Sequence, residues 1–234
     1  MNLSICIATY NGGSYIKEQI DSILPQIGKN DEIIISDDSS TDNTLDVIKS
    51  FKDKRIKIFP NNKFHSPIFN FENALKQAKG DYIFLSDQDD IWLDNKVAKM
   101  VEALKQYSLV VSDCYVVDKD CNIIRDSFFT KQPTPGILKN IIKNNYIGCC
   151  MALRREVLTK ALPFPKQIAM HDIWLGLCGS LYYKALFIPD KLILYRRHGN
   201  NASPTGERSK YSLKYKLCYR IELILLLVKR FMHR

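Results

Sequence analysis

The sequence predicts an α/β fold of three layers, with helices on both faces of a mostly parallel sheet and a helical tail behind it. Three observations predict it. Over roughly the first hundred residues, short apolar and β-branched runs alternate with stretches of helical periodicity. Polar residues gather where those apolar runs end, at Thr9-Tyr10-Asn11, Asp37-Asp38-Ser39 and Asp87-Gln88-Asp89, as they do where the carboxyl ends of parallel strands meet a ligand. Finally, a chain of 234 residues that is 46% hydrophobic and 25% charged has ample core for one large domain.

The elements follow in order. "LSICIAT" (3–9) reads as a buried strand. "YNGGSYIKEQIDSIL" turns at Asn11-Gly12-Gly13 and enters a helix with Ile16, Ile20, Ile23 and Leu24 on one face. "DEIIISDD" is a second strand, and "SSTDNTLDVIKSF" a helix opened by capping residues, with Leu45, Ile48 and Phe51 inward. "RIKIF" is a third strand, "FNFENALKQAKG" a helix ended by Gly80, "DYIFLS" a fourth strand, and "NKVAKMVEALKQY" a helix. After residue 107 the pattern loosens. "SLVVSDCYVVD" and "CNIIRDSFF" read as strands, "GILKNIIKNNY" as a helix, and "IGCCMALRREVLTKAL" as a strand running into a helix. "HDIWLGLCGSLYY" is helical, and a strand, "KALFIPDKLILYRRH", follows it.

The net charge of +9 favours an anionic partner: a phosphate-rich small molecule, nucleic acid or an acidic membrane. Nucleic acid is disfavoured, because no recognised binding motif is present and clustered strand-end aspartates repel phosphates unless a cation intervenes. The seven cysteines are odd in number and lack C-x-x-C spacing, which argues for reduced thiols in a cytoplasmic protein and against a cysteine zinc site. The N-terminus has no signal-peptide pattern, and no apolar run reaches the roughly 20 residues that span a bilayer. The first strand runs into Tyr-Asn-Gly-Gly rather than G-x-G-x-x-G, which excludes the dinucleotide-cradling turn of an NAD-dependent oxidoreductase.

The chemistry concentrates in "FLSDQDDIW" (84–92). Asp87, Asp89 and Asp90 repel one another. A hard divalent cation, magnesium or manganese, would relieve that repulsion and carry a diphosphate to the site. Taken alone, the pattern equally fits an Asp-rich turn that caps the next helix at Asp94 or Asn95.

Five blocks in order, "SICIATYNGGSYI" (4–16), "DEIIISDDSSTDNT" (31–44), "GDYIFLSDQDDIW" (80–92), "HDIWLGL" (171–177) and "YRRHGNNAS" (195–203), resemble the inverting family-two glycosyltransferases of the A-type fold. The "DQDDIW" form is most similar to bacterial enzymes of surface-polysaccharide synthesis, rhamnosyltransferases among them. The resemblance implies a Rossmann-like nucleotide-sugar-binding sheet. It implies that Thr9, Tyr10 and Asn11 line the nucleotide pocket, and that Asp38 binds the base with Asp37 and Ser39 beside it. Asp87 and Asp89 are the implied metal ligands, Asp89 the more direct one, with Asp87 toward the ribose; Asp90 is an extra acid, so that the metal could use either member of the Asp89-Asp90 pair. His198 is an implied third ligand; Arg196 and Arg197 suit the diphosphate, for which a guanidinium fork is apt. Asp172 is the implied catalytic base, which a carboxylate within reach of an acceptor hydroxyl can serve as. His171 stands where many relatives have Glu and is an alternative base. Trp92 and Trp174 suit sugar stacking or core packing, and Gly148 and Cys149 suit the acceptor side or plain strand packing.

By the same resemblance, residues 1–206 form the catalytic domain, with a nucleotide-binding half (1–107) and an acceptor-binding half (108–206). Residues 207–234 form a basic amphipathic helix. The implied partners are a UDP- or dTDP-sugar donor and a glycan or lipid-linked glycan acceptor. The tail interleaves Lys210, Lys214, Lys216, Arg220, Lys229 and Arg230 with apolar residues 221–228. It fits either an anionic membrane surface, on the inner face of the plasma membrane, or packing on the domain or a second copy. A metal-dependent nucleotidyltransferase and a non-catalytic anion binder are the rival readings.

Overall fold

In the computed structural model, residues 1–199, 201 and 212–232 are described. The first half builds as the alternation predicts: β1 (Leu3–Thr9), α1 (Ile16–Ile23), β2 (Glu32–Asp37), α2 (Thr44–Ser50), β3 (Ile56–Phe59), α3 (Pro67–Gln77) and β4 (Tyr82–Ser86). These strands pair in parallel in the order β3-β2-β1-β4. β1, β2 and β4 are buried because helices cover both faces, which is why their sequences read as near-continuous apolar runs, whereas β3 at the sheet edge is only partly buried. The register sets Thr9 against Asp37 and Ile7 against Ser86, so the three polar strand ends share one edge.

The second half is mixed. It comprises β5 (Ile91–Trp92), α4 (Lys96–Leu104), β6 (Leu109–Val117), β7 (Ile123–Arg125), α5 (Ile137–Ile142), β8 (Met151–Arg154), α6 (Arg155–Ala161), α7 (His171–Tyr182), β9 (Ala185–Arg196) and α8 (Leu213–Met232). β8 runs antiparallel between β4 and β6, β9 is parallel to β6, and β5 closes the far edge antiparallel to β9. The sheet is thus parallel through β4 and mixed beyond it. β5 escapes sequence reading because its two residues are too few to show a period.

Two local expectations are corrected. Gly80 does not end α3, which stops at Gln77. Instead Gly80 lies against β1, where a Cβ would sit 2.6 Å from the main chain of Leu3 and Ser4. Nor do Asp94 or Asn95 cap α4 through a side chain; Asn95 enters the helix in a left-handed conformation (φ 67°), which Asn tolerates.

α8 packs one face on the domain. Leu223 and Leu227 are buried, Arg220 donates to the carbonyl oxygens of Ile141 and Ile142, and Arg230 donates to those of Leu162 and Pro163. Its other face leaves Leu217, Ile221, Leu225 and Val228 exposed. Among the described residues no helix is long and apolar enough to cross a membrane. Lys210 lies outside the described residues. None of the seven cysteines is paired.

Candidate active site

The polar strand ends open on one cavity of about 400 Å³, within the usual range for a small-molecule site. One wall comes from the end of β1 (Thr9, Tyr10) and from Asp38 after β2. The loop before α3 and its first turns add His65, Ser66 and Asn70. The floor is Asp87, Gln88 and Asp89; the far wall is Gly148, His171 and Asp172, with Tyr195 and Asn201 closing it.

The β1–β2 side is held by its own side chains. The Thr9 hydroxyl donates to Asp37 (3.0 Å), and Asp37 also accepts from the Ser40 backbone N–H (3.0 Å). Asp37 is fully buried and spent on this turn, so the nucleotide-contact role implied for it is corrected to one of support. Asp38 faces the cavity and clamps its rim, accepting from the backbone N–H of Phe64 (2.6 Å) and Ser66 (3.1 Å). A carboxylate oxygen can accept a second bond, which leaves Asp38 able to meet a base. Ser39, at φ 61°, turns its hydroxyl to the Asn62 carbonyl (2.6 Å) and away from the pocket lining. Asn11 likewise serves the loop: its side-chain oxygen accepts from Thr41 N–H (2.8 Å).

The acidic floor is electrostatically tense. Burial, then the charges of Asp89 and Asp172, push the Asp87 carboxyl up to about 8. Asp90 is buried beneath it and is raised well above the usual carboxylate range, by burial and by Asp89 and Asp87. One Asp90 oxygen accepts from Arg196 N–H (3.0 Å); the other is buried with no partner. An oxygen of Asp87, an oxygen of Asp90 and Cys149 Sγ lie within 4.8 Å of one another. Asp89 is joined to His198 Nε2 (2.8 Å) and to the Asn201 amide (3.1 Å), and the His198 ring stacks on Tyr15 at 4.7 Å. The structure therefore joins His198 to Asp89, while the donor atoms that lie together at ligand spacing are those of Asp87, Asp90 and Cys149. Clustered carboxylates that raise one another's pKa, with an orphaned buried oxygen among them, are a donor set that fits a hard divalent cation.

On the far wall, Asp172 sits in the first turn of α7. Burial lifts its carboxyl to about 7, against the opposing help of the Ile173 and Gly148 backbone N–H groups. The Ile173 bond is 2.6 Å. A carboxylate near neutrality is tuned for general-base work. His171 is its buried neighbour: burial holds the imidazole down to about 3, its ring stacks on Phe71 at 4.1 Å, and neither nitrogen has a protein partner. A neutral imidazole with both edges free is a hydrogen-bonding surface and a poor proton acceptor. A Cβ on Gly148 would lie 2.8 Å from His171 Nε2, so the two positions are in close contact.

Three implied contacts are corrected. Trp92 and Trp174 are buried outside the cavity: Trp174 Nε1 donates to the Ala161 carbonyl (2.9 Å), and Trp92 packs on Phe84. Neither ring is open to a sugar. The Arg196 guanidinium is only 4% exposed and bonds to Glu18 and the Lys119 carbonyl while lying over Tyr15, so it is not free for a diphosphate. Arg197 instead turns to Tyr195, which lines the cavity. Sequence reasoning missed Gln88, whose amide bridges the Tyr10 backbone (2.9 and 3.1 Å) and ties the β1 end to the acidic loop. It also missed Asn70 and Asn201. Amides carry no titration or ligand signature, so only the "HGNN" turn pointed toward Asn201.

Comparison with known proteins identifies the family and the fold. Residues 4–162 match the family described as glycosyl transferase family 2. The chain is 31% identical to the dTDP-rhamnosyl transferase RfbG of Shigella flexneri, over 90% of this chain and 77% of that protein. It is 40% identical to WfaP of Escherichia coli, a UDP-Glc:alpha-D-GlcNAc-diphosphoundecaprenol beta-1,3-glucosyltransferase, over 76% of this chain and 70% of that one. Among solved structures, S. aureus TarS 1-349 in complex with UDP-GlcNAc superposes with a TM-score of 0.75 at 19% identity, covering 96% of this chain and 67% of TarS 1-349. A mannosyltransferase from Pyrobaculum calidifontis, in complex with GDP-Man and Mn2+, gives 0.61 at 18% identity, covering 87% of this chain and 58% of that chain. These two establish the fold, the Rossmann-like sheet of A-type glycosyltransferases. With more than half its length matched by the family, and a 31%-identical relative covered over 77% of its own length, the chain belongs to glycosyl transferase family 2.

Proposed function

We propose that the protein transfers a sugar from a UDP- or dTDP-sugar to a glycan or lipid-linked glycan acceptor, with inversion and with a divalent cation, in bacterial surface-polysaccharide synthesis. The observation that carries this reading is the meeting of two carboxylate systems in one cavity. Asp87 and Asp89 form one, Asp172 the other, and they are close enough that the Asp172 charge raises Asp87. Asp87 and Asp89 would hold the cation, with His198 steadying Asp89. When bound, magnesium or manganese would neutralise charge growing on the departing nucleoside diphosphate. Thr9, Tyr10 and Asp38 receive the nucleotide, and Arg197 is placed beside Tyr195 for the phosphates. Asp172 takes the proton of the acceptor hydroxyl as its oxygen bonds to the anomeric carbon. The sugar–phosphate bond breaks on the opposite face, its electrons leaving with the diphosphate, so the configuration inverts. His171 offers its neutral edges to acceptor hydroxyls. The names of RfbG and WfaP support a dTDP- or UDP-linked donor and a lipid-linked acceptor.

Calorimetry with UDP-, dTDP- and GDP-sugars, in manganese and then in EDTA, tests the class. One donor is expected to bind only with metal and to release a nucleoside diphosphate on transfer. Release of pyrophosphate would instead make the protein a nucleotidyltransferase, and a folded protein that binds no nucleotide would overturn the reading.

The exposed face of α8 supports a second part of the proposal, a peripheral seat on the inner face of the plasma membrane. Ile221, Leu225 and Val228 are exposed beside Lys214 and Lys229, the pattern of an interfacial helix on anionic lipid. Substituting Ile221 and Leu225 together by Glu leaves the buried face intact. It is expected to release the protein from phosphatidylglycerol vesicles in co-sedimentation; undiminished sedimentation would end this part.

A further inference from the structure

We infer that Lys96 is a positioning residue for transfer: from inside the core, it fixes the short turn that supports both the catalytic base and the acidic floor. Lys96 opens α4 and is completely buried. Its ammonium donates to the Cys149 carbonyl (2.7 Å) and lies 4.4 Å from the centre of the Trp92 ring. A buried ammonium costs several kcal/mol unless well paired. Here the direct partners are one main-chain carbonyl and one aromatic face, with Cys150, Cys149 and Asp90 acting on it through space.

What that carbonyl belongs to gives the placement its meaning. Gly148–Cys150 is a single 3-10 turn. Gly148 forms part of the cavity wall, and its backbone N–H supports the Asp172 carboxylate. The next residue, Cys149, sets its Sγ against the Asp87 and Asp90 oxygens. The two carboxylate systems therefore hang on consecutive residues of one turn, and Lys96 grips that turn from the side away from substrate. The fate of Trp92 fits: its ring covers the ammonium rather than a sugar.

The inference rests on the reading of Asp172 as base, and the test keeps the two apart. Lys96→Met leaves the buried Cys149 carbonyl without its donor, which costs stability, so stability and turnover are read separately. The variant is expected to keep donor KM within about twofold. Its kcat should fall about tenfold to a hundredfold, the scale of a small misplacement of reacting groups. A purely structural role would lower the melting temperature while leaving kcat per folded molecule unchanged, and that result would overturn the inference. If Lys96→Met does not fold, Lys96→Leu, which likewise removes the donor, is read by the same split. Asp172→Asn runs alongside. If that variant turns over normally, the base assignment falls. If it is inactive while a folded Lys96 variant keeps full kcat, the positioning role alone falls.

Discussion

Asp172→Asn is expected to lower kcat by about a hundredfold to ten-thousandfold, the usual worth of a general base, which is about 3–5 kcal/mol in the barrier. The amide keeps the volume and can still accept the Ile173 N–H bond, so folding and metal-dependent donor binding should be unchanged by calorimetry. The parent enzyme supplies an independent check. Asp172 must be ionised to accept a proton, and its carboxyl stands at about 7. The acid limb of kcat/KM should therefore rise with pH through about 7, whereas an ordinary aspartate would give a limb near 4. His171, held to about 3, is uncharged across this range and adds no limb of its own. A folded Asp172→Asn enzyme with near-parental kcat would remove the base from this residue.

Asp89→Asn is expected to abolish metal-dependent donor binding and, with it, transfer, because it removes the charge that His198 and Asn201 hold in place. EDTA on the parent should do the same, with recovery on adding manganese. The sign of the stability effect follows from linkage. The Asp87 carboxyl is raised to about 8 when folded. The native state therefore holds a proton that the unfolded chain, near 4, has already released. That contribution to stability is complete below about pH 4 and is lost as pH rises through 8. A cation on the same carboxylates offsets the loss. Manganese should therefore raise the melting temperature more at pH 8 than at pH 5, where protons compete for the ligands. A folded Asp89→Asn protein with parental manganese-dependent transfer would refute the assignment.

The first half of the fold was readable because β1, β2 and β4 are covered on both faces and α1 and α3 carry a clear apolar stripe. Ile16, Ile20 and Ile23 are all buried, as their spacing implied. The second half resisted because β8 and β9 interleave strands distant in sequence, and pairing direction leaves no local trace. At the site, residues recognisable by charge were readable: Asp87, Asp89 and Asp172 line one cavity, and His198 bonds to Asp89. The errors came from residues whose type allows two fates. Trp92, Trp174 and Arg196 have the chemistry to bind sugar or phosphate, yet tertiary packing takes all three inward. Lys96 was read only as one member of a helix, since a lysine at a helix start gives no sign that it will be buried.

The contact between Gly148 and His171 carries a consequence for how this chain can vary. His171 is buried and stacked on Phe71, so a methyl group at 148, 2.8 Å from its ring nitrogen, forces the ring to shift. Alanine at 148 is thus tolerated best after 171 has become smaller, while a smaller residue at 171 leaves glycine at 148 harmless. The favoured order of substitution therefore runs one way. Lineages that carry a side chain at 148 should have passed first through a change at 171, linking the history of the acceptor wall to that of the turn facing it.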